Sequence, residues 1–134
     1  MRSFFFLCLL VLCNALAAAE LKPGTTYTVT QLDGQAIPRV DGLAAPTITL
    51  DATGKQASGT SGINRYGGGC TMQDGTLTIT QPFSTMMAGS EEAMKVEQQF
   101  LRIIAAPLKI EVAKTGKTDL VLTGTAGSLL LTSP

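Results

Sequence analysis

The chain has 134 residues, the length of one domain, and its ten Lys and Arg residues balance ten Asp and Glu residues. That charge balance leaves no basic surplus for nucleic acid or for an anionic bilayer. The absence of His excludes His-based acid–base catalysis, His-activated nucleophiles and His-containing metal sites. The absence of Trp argues against base-stacking surfaces. We therefore expect no enzyme, no metal, no cofactor and no nucleic-acid partner.

The first nineteen residues have the pattern of a signal peptide. Arg2 is followed by an unbroken apolar run over residues 4–13, and Ala17–Ala19 fit the small-residue cleavage pattern. The run is shorter than the about 20 residues that cross a bilayer. We predict a cleaved leader over residues 1–19, one domain over residues 20–134, and a periplasmic or secreted location. Of three cysteines only Cys70 then remains, so the domain has no disulfide.

Short segments with strand-like alternation and β-forming residues follow, separated by turn residues. They cover residues 26–31, 47–50, 57–62, 70–73, 76–80, 108–112, 120–122 and 129–131. Asp74-Gly75 is a strong signal for a two-residue hairpin turn of type I′. Seven or eight short strands at this spacing predict a mainly β, antiparallel, barrel-like domain or a sandwich.

One stretch has the period of a helix, predicted over about residues 91–105. Ser90 is a suitable N-cap, and Pro107 ends the helix because it pushes the preceding residue out of helical geometry. Its apolar residues share one face, namely Ala93, Val96, Phe100, Ile103 and Ile104. The stripe could bind a partner, but packing on the barrel accounts for every apolar position.

The hairpin pattern also predicts which face of the sheet carries the Cys70 side chain. A two-residue loop at Asp74-Gly75 sets Met72 opposite Leu77 and Cys70 opposite Ile79. Opposed residues share a face of the sheet, so these side chains form one apolar face. We predict that Cys70 is an inert core residue.

The order of motifs resembles the META domain family, also called HslJ-like, of bacterial envelope proteins. The resemblance covers residues 27–131 and depends on four motifs in chain order. They are a Gly-rich strand that leads into Asn64-Arg65-Tyr66; the hairpin over residues 71–79; the segment from Ser84 to Ala88; and the helix residues Met94, Glu97 and Phe100-Leu101. It implies a small antiparallel barrel with one helix, exported from the cytoplasm. It also implies links to stress response rather than to a known reaction.

The chain departs from that family pattern at two cysteine positions. Ile63 and Gly89 stand where the family has cysteines, and the resemblance implies that members with both cysteines bridge them. This chain has lost both halves together. Cys70 has no counterpart in the pattern.

Asn64, Arg65 and Tyr66 form a candidate interaction loop beside the glycines of residues 67–69. The alternative is structural: Asn64 adopts a left-handed turn conformation and Tyr66 packs in the core. Glu97 is expected to accept hydrogen bonds from a neighbouring loop rather than to act as a catalytic acid.

Two functions fit these observations. The first is a non-catalytic, monomeric module that binds an envelope protein. The alternative is a carrier that admits a small apolar ligand through a barrel mouth at Phe83, Met86 and Met87. A chain of this size must supply both the strands of the barrel and the side chains that pack inside it. We therefore expect the interior to be filled by side chains, and we favour the interaction module.

Overall fold

A computed structural model describes residues 19–114 and 119–134, so the predicted signal peptide, apart from Ala19, lies outside the described residues. These residues form nine strands and one helix. The elements are β1 (Thr26–Leu32), β2 (Gln35–Ala36), β3 (Thr47–Leu50), β4 (Gln56–Thr60), β5 (Arg65–Gln73), β6 (Thr76–Ser84), α1 (Glu91–Ile104), β7 (Leu108–Val112), β8 (Leu120–Gly124) and β9 (Gly127–Thr132). Within the described ranges, no helix is long and apolar enough to span a membrane.

Eight of the strands form a closed antiparallel barrel. Their order around the ring is β1-β3-β4-β5-β6-β7-β8-β9, and β9 pairs with β1 to close it. The short β2 is an extra strand that pairs with the end of β1. The predicted mainly β, barrel-like fold with one helix is therefore confirmed.

Side chains point alternately inward and outward along each strand, and the inward ones fill the interior of the barrel. Residues that face inward are almost fully buried, whereas their neighbours reach the outer surface, as expected for period-2 strands. Inward side chains from every barrel strand join one contiguous apolar cluster, for example Val29, Ile48, Leu77, Leu122 and Leu131. Each such side chain stabilises the fold by about 1.5–3 kcal/mol relative to an exposed one.

The helix covers one end of the barrel. Its N-cap is Ser90, whose hydroxyl accepts the Ala93 amide at 3.2 Å, as predicted. Because α1 connects β6 to β7, it crosses the end where β6 stops and β7 begins. Phe100, Ile103 and Ile104 are fully buried and enter the barrel core. The apolar stripe is therefore a packing face.

The hairpin between β5 and β6 has the predicted register. Asp74 and Gly75 have φ values of 51° and 71°, which a type I′ turn requires at both central positions. Cys70 pairs with Ile79 and is 5% exposed, so its predicted burial is confirmed. Burial, and secondarily the negative charge of Asp51, raises the pKa of the Cys70 thiol.

Cys70 should be unreactive in the native protein. Its thiol is buried and donates to the Gly54 carbonyl at 3.3 Å, so little thiolate is available at neutral pH. A thiol reagent should modify the native chain at least about 100-fold more slowly than the urea-unfolded chain. Equal rates, or a dimer on a non-reducing gel, would contradict this expectation.

The glycine-rich part of the sheet differs from the sequence-based expectation. We predicted a strand beginning at Cys70, but β5 begins at Arg65 and runs through Gly67–Gly69. Glycine has low strand propensity, yet a side chain would be crowded here: a Cβ at Gly68 would lie 3.2 Å from Ile79 Cγ2, so its neighbours would have to shift by a few tenths of an ångström. The left-handed conformation expected for Asn64 is also wrong, since the non-glycine residues with positive φ are Asp33, Asp74 and Gln81.

One stretch of the barrel wall has a strand neighbour on one side only. β7 pairs with β6 at Thr76 and Leu77, so among the described strands the rest of β6 has no partner on that side. Gln81 in this stretch has a φ of 48°, and Pro82 follows it. A backbone irregularity and a proline are two devices that keep an open strand edge from pairing with other chains.

Replacing Gly59 with Ala should destabilise the fold strongly. A Cβ at Gly59 would overlap the carbonyl oxygen of Thr47, which is backbone and cannot move aside cheaply. We expect the free energy of unfolding to fall by about 3 kcal/mol, measured by urea denaturation. Gly69→Ala is the matched control on the neighbouring strand, because its Cβ would meet only ordinary contacts, at 3.4 Å or more. Similar losses in both variants would refute this account.

Candidate functional site

The most polar part of the interior is built around the carboxylate of Glu97, which α1 places against the connection between β4 and β5. Glu97 is 7% exposed. Its Oε2 accepts the amides of Ile63 and Asn64, each at 2.7 Å, and the Ser61 hydroxyl at 3.1 Å. Its Oε1 accepts the side-chain amide of Asn64 at 2.6 Å. The predicted role of Glu97 as an acceptor for a neighbouring loop is confirmed.

Asn64 extends this arrangement to the segment that leads from β6 into the helix. Its Oδ1 accepts the Met87 amide at 2.7 Å and the Thr85 hydroxyl at 2.9 Å. Its Nδ2 also donates to the Met87 carbonyl at 3.0 Å. We call the set formed by Ser61, Ile63, Asn64, Thr85, Met87 and Glu97 the Glu97–Asn64 network. It joins three parts of the chain that are distant in sequence.

These contacts determine the charge state of Glu97. Burial by itself raises the pKa of the carboxyl, but the hydrogen bonds donated by Asn64, Ile63 and Ser61 outweigh it and hold the pKa below its ordinary value. Glu97 is therefore ionised at neutral pH, and both of its oxygens are occupied by donors. This arrangement suits a structural anchor rather than a proton-transfer group.

The lowered pKa predicts a pH dependence. The unfolded chain takes up a proton at Glu97 near pH 4.5, whereas the folded chain does so only at lower pH. The stabilisation is thus complete above pH 4.5 and is lost as the pH falls through the folded-state pKa. Urea denaturation between pH 3 and 7 should show that Glu97→Gln lacks this component of the acid-induced loss. If the free energy of unfolding depends on pH in the same way in the wild type and in Glu97→Gln, the prediction is contradicted.

The candidate interaction loop is divided between the core and the surface. Asn64 and Tyr66 are each 3% exposed, whereas Arg65 is exposed. The Tyr66 hydroxyl donates to the Thr47 carbonyl at 2.7 Å, and its ring meets the Phe100 ring edge-on with centroids 5.4 Å apart. Burial raises the pKa of Tyr66 far above its ordinary value. The prediction of a loop is wrong for two of the three residues, since Arg65 and Tyr66 belong to β5, and of the three side chains only that of Arg65 faces solvent.

The three apolar residues proposed for a barrel mouth lie on the outer surface at the helix-covered end. Phe83 is 71% exposed, Met86 95% and Met87 61%. The ring of Phe83 lies beside β5, since a Cβ at Gly67 would meet its Cζ at 3.1 Å. We call these three residues the apolar patch. The patch borders the Glu97–Asn64 network, because Met87 belongs to both.

A hollow lies at the opposite end of the barrel. Its volume is about 450 Å³, and its walls combine apolar and charged groups: Glu20, Lys22, Thr25, Tyr27, Val112, Leu120, Ser133 and Pro134. The Tyr27 hydroxyl in this wall accepts the Lys22 amide at 2.9 Å. In the described ranges, no group of three or more His, Cys, Asp or Glu residues is arranged to hold a metal ion.

A family model for the META domain matches residues 19–134, a range that includes every residue the structure describes. The chain belongs to the META domain family. This META domain is similar to an NMR structure of a protein from Burkholderia xenovorans, with 25% identity and a TM-score of 0.67 over 84% of this chain and 83% of that one. A second NMR structure, 16% identical, has the same fold with a TM-score of 0.63 over 81% and 87% of the two chains. Curated proteins gave no match.

The two positions where the META pattern carries cysteines face each other in this structure. A Cβ at Gly89 would lie 2.6 Å from Cδ1 and 3.1 Å from Cγ1 of Ile63. The side chain of Ile63 thus occupies the space between the two positions, and Gly89 leaves room for it. Such proximity is what the bridge implied by the family resemblance would require.

Sequence reasoning missed part of the network. It identified Glu97 as an acceptor but not Ser61 or Thr85 as donors, and it assigned Asn64 a backbone role. One signal was an Asn in a short connection between two strands, where its amide can bond to several backbone groups. A second was that Asn64, the segment from Ser84 to Ala88 and Glu97 all belong to the motifs that carry the family resemblance.

Proposed function

We propose that this META domain is an exported, non-catalytic module that binds an envelope protein through the apolar patch. The observation that carries the proposal is the exposure of Phe83, Met86 and Met87, which lie within five consecutive residues. These three are among the four exposed large apolar side chains of the described residues, the fourth being Val112 at the other end of the barrel, and a cluster of exposed apolar residues marks an interaction surface. The leader-like residues 1–19 support export.

The backbone under the patch is held in place, which favours binding over mere exposure. Asn64 makes two hydrogen bonds to the backbone of Met87, and Glu97 in turn holds Asn64. A preorganised surface loses less conformational entropy when a partner binds. The ionised, fully bonded state of Glu97 supports a non-catalytic role, since no other buried carboxylate lies in the described core.

Site-specific photo-crosslinking tests the proposal in cells that make the protein naturally. A photoreactive residue at Met86 should capture one defined envelope protein, whereas the same residue at Val112 should not. Val112 is the matched control, because it is 60% exposed but lies at the other end of the barrel. The captured protein, once purified, should bind a Phe83→Ser/Met86→Ser/Met87→Ser variant at least about 10-fold more weakly than the wild type. Capture from both positions, or unchanged affinity, would refute the proposal.

The alternative function, a carrier of a small apolar molecule, has one observation in its favour. The hollow beside Tyr27 falls within the roughly 300–1,000 Å³ of small-molecule sites, although it lies at the end opposite the apolar patch. Native mass spectrometry of protein purified from its own cells tests this alternative. A retained small molecule that is lost in a Val112→Asp variant would favour the carrier over the interaction module.

A further inference from the structure

The four methionines in the described residues differ in exposure. Met86 is 95% exposed and Met87 61%, whereas Met72 and Met94 are half-buried and Met72 packs against the core. Oxidation of a thioether depends on access of the oxidant to the sulfur. The two sulfurs most open to an oxidant are therefore neighbours in sequence and belong to the apolar patch.

The network beneath the patch keeps these side chains at the surface. The Met87 amide donates to Asn64 Oδ1 at 2.7 Å, and Asn64 Nδ2 donates to the Met87 carbonyl at 3.0 Å. Next to them, Thr85 donates its hydroxyl to the same Oδ1 at 2.9 Å. These part-buried hydrogen bonds fix the backbone position of Met87 next to the exposed side chains of the patch.

We infer that Met86 and Met87 are an oxidation site at which sulfoxide formation releases the partner of the apolar patch, an inference that rests on the proposed function. The oxidant is hydrogen peroxide. The methionine sulfur attacks one peroxide oxygen, an S–O bond forms as the O–O bond breaks, and the proton of the attacked oxygen passes to the departing hydroxide, which leaves as water. The sulfur loses two electrons and the peroxide gains them.

Oxidation at these positions changes the surface without changing the fold. A sulfoxide is polar, so two of the three members of the patch lose their apolar character. Neither side chain contributes to the buried cluster, so the melting temperature should shift by less than about 3 °C. Methionine sulfoxide reductases of types A and B, one for each sulfoxide epimer, should restore the surface.

The first test needs no partner. Purified protein is treated with hydrogen peroxide, and sulfoxides are located by peptide mass spectrometry over time. Oxidation at Met86 and Met87 should be at least about 10-fold faster than at Met72 or Met94. Retention on a hydrophobic-interaction column should fall in parallel, and both reductases together should restore it.

Two matched variants decide the outcome. Met86→Leu/Met87→Leu keeps the patch apolar and should not lose retention on peroxide treatment, whereas Met72→Leu/Met94→Leu should respond like the wild type. Faster oxidation at Met72 or Met94, or loss of retention in the Met86→Leu/Met87→Leu variant, would overturn the inference.

Partner binding separates this inference from the proposed function. If the crosslinked partner binds oxidised and reduced protein equally well, the oxidation inference fails and docking at the patch stands. If no partner crosslinks at Met86, the proposed function fails, and with it the releasing effect of oxidation. At least about 10-fold weaker binding after oxidation, restored by the reductases, supports both.

Discussion

Asn64→Ala is expected to lower the free energy of unfolding by about 3 kcal/mol or more, which corresponds to a fall of at least roughly 12 °C in melting temperature for a domain of this size. The Asn64 side chain donates to Glu97 and to the Met87 carbonyl, and it accepts from Thr85 and from the Met87 amide. Removing it leaves a buried carboxylate with one donor fewer and leaves the Met87 amide without its acceptor. Buried polar groups without partners carry the full cost of desolvation.

Gln99→Ala is the matched control for this prediction. Gln99 also makes an amide hydrogen bond to a carboxylate, Asp33, at 2.9 Å, but the contact is exposed. We expect a loss below about 1 kcal/mol, because exposed hydrogen bonds compete with water. Urea denaturation of the two variants measures both effects. A loss below about 1 kcal/mol for Asn64→Ala would mean that the network does not anchor the helix and the patch.

A disulfide between cysteines introduced at positions 63 and 89 should make the oxidised double variant about 3 kcal/mol more stable than its own reduced form, because the crosslink closes a loop of about 27 residues in the unfolded chain. The geometry favours bond formation, since a Cβ at Gly89 would lie 3.1 Å from the first γ atom of residue 63. The double replacement Ile63→Cys/Gly89→Cys removes the isoleucine that fills this space. The expected gain is a rise of roughly 10 °C or more in melting temperature.

The same double variant in the presence of a reductant is its own control. The reduced protein should be less stable than the wild type, because the apolar contacts of Ile63 are lost. Peptide mapping should show a bond between positions 63 and 89 and a free Cys70, whose thiol is buried. A double variant that remains reduced in air, or that pairs with Cys70, would contradict the proximity of the two positions.

Most of the fold could be predicted because local signals agree with the final packing. The Asp74-Gly75 turn fixed the register of the longest hairpin, and the 3.6-residue period with Ser90 and Pro107 located the helix. The glycine-rich strand could not be delimited. At Gly59 the Thr47 backbone leaves no room for a Cβ, and at Gly68 a Cβ would be tightly crowded; propensity does not contain that information.

The site was predictable only in part, for a related reason. Glu97 and Asn64 could be singled out individually from the sequence. The hydrogen bonds between them form only because the helix crosses the barrel end next to the connection between β4 and β5. Such long-range pairing has no counterpart in local sequence spacing. The exposure of Phe83 near the end of β6, and of Met86 and Met87 just after it, likewise depends on tertiary packing, which an apolar sequence pattern does not reveal.

The irregular end of β6 also affects how copies of this protein behave when they are crowded together. A closed ring of strands offers no template for fibril growth, so the unpaired part of β6 is one stretch of the described barrel wall where another chain could add. Gln81 turns the backbone out of strand geometry and Pro82 has no N–H to donate, so a ladder that begins there cannot propagate. The protein can therefore carry exposed Phe83 and Met86 beside this edge while its backbone resists self-assembly into cross-β aggregates.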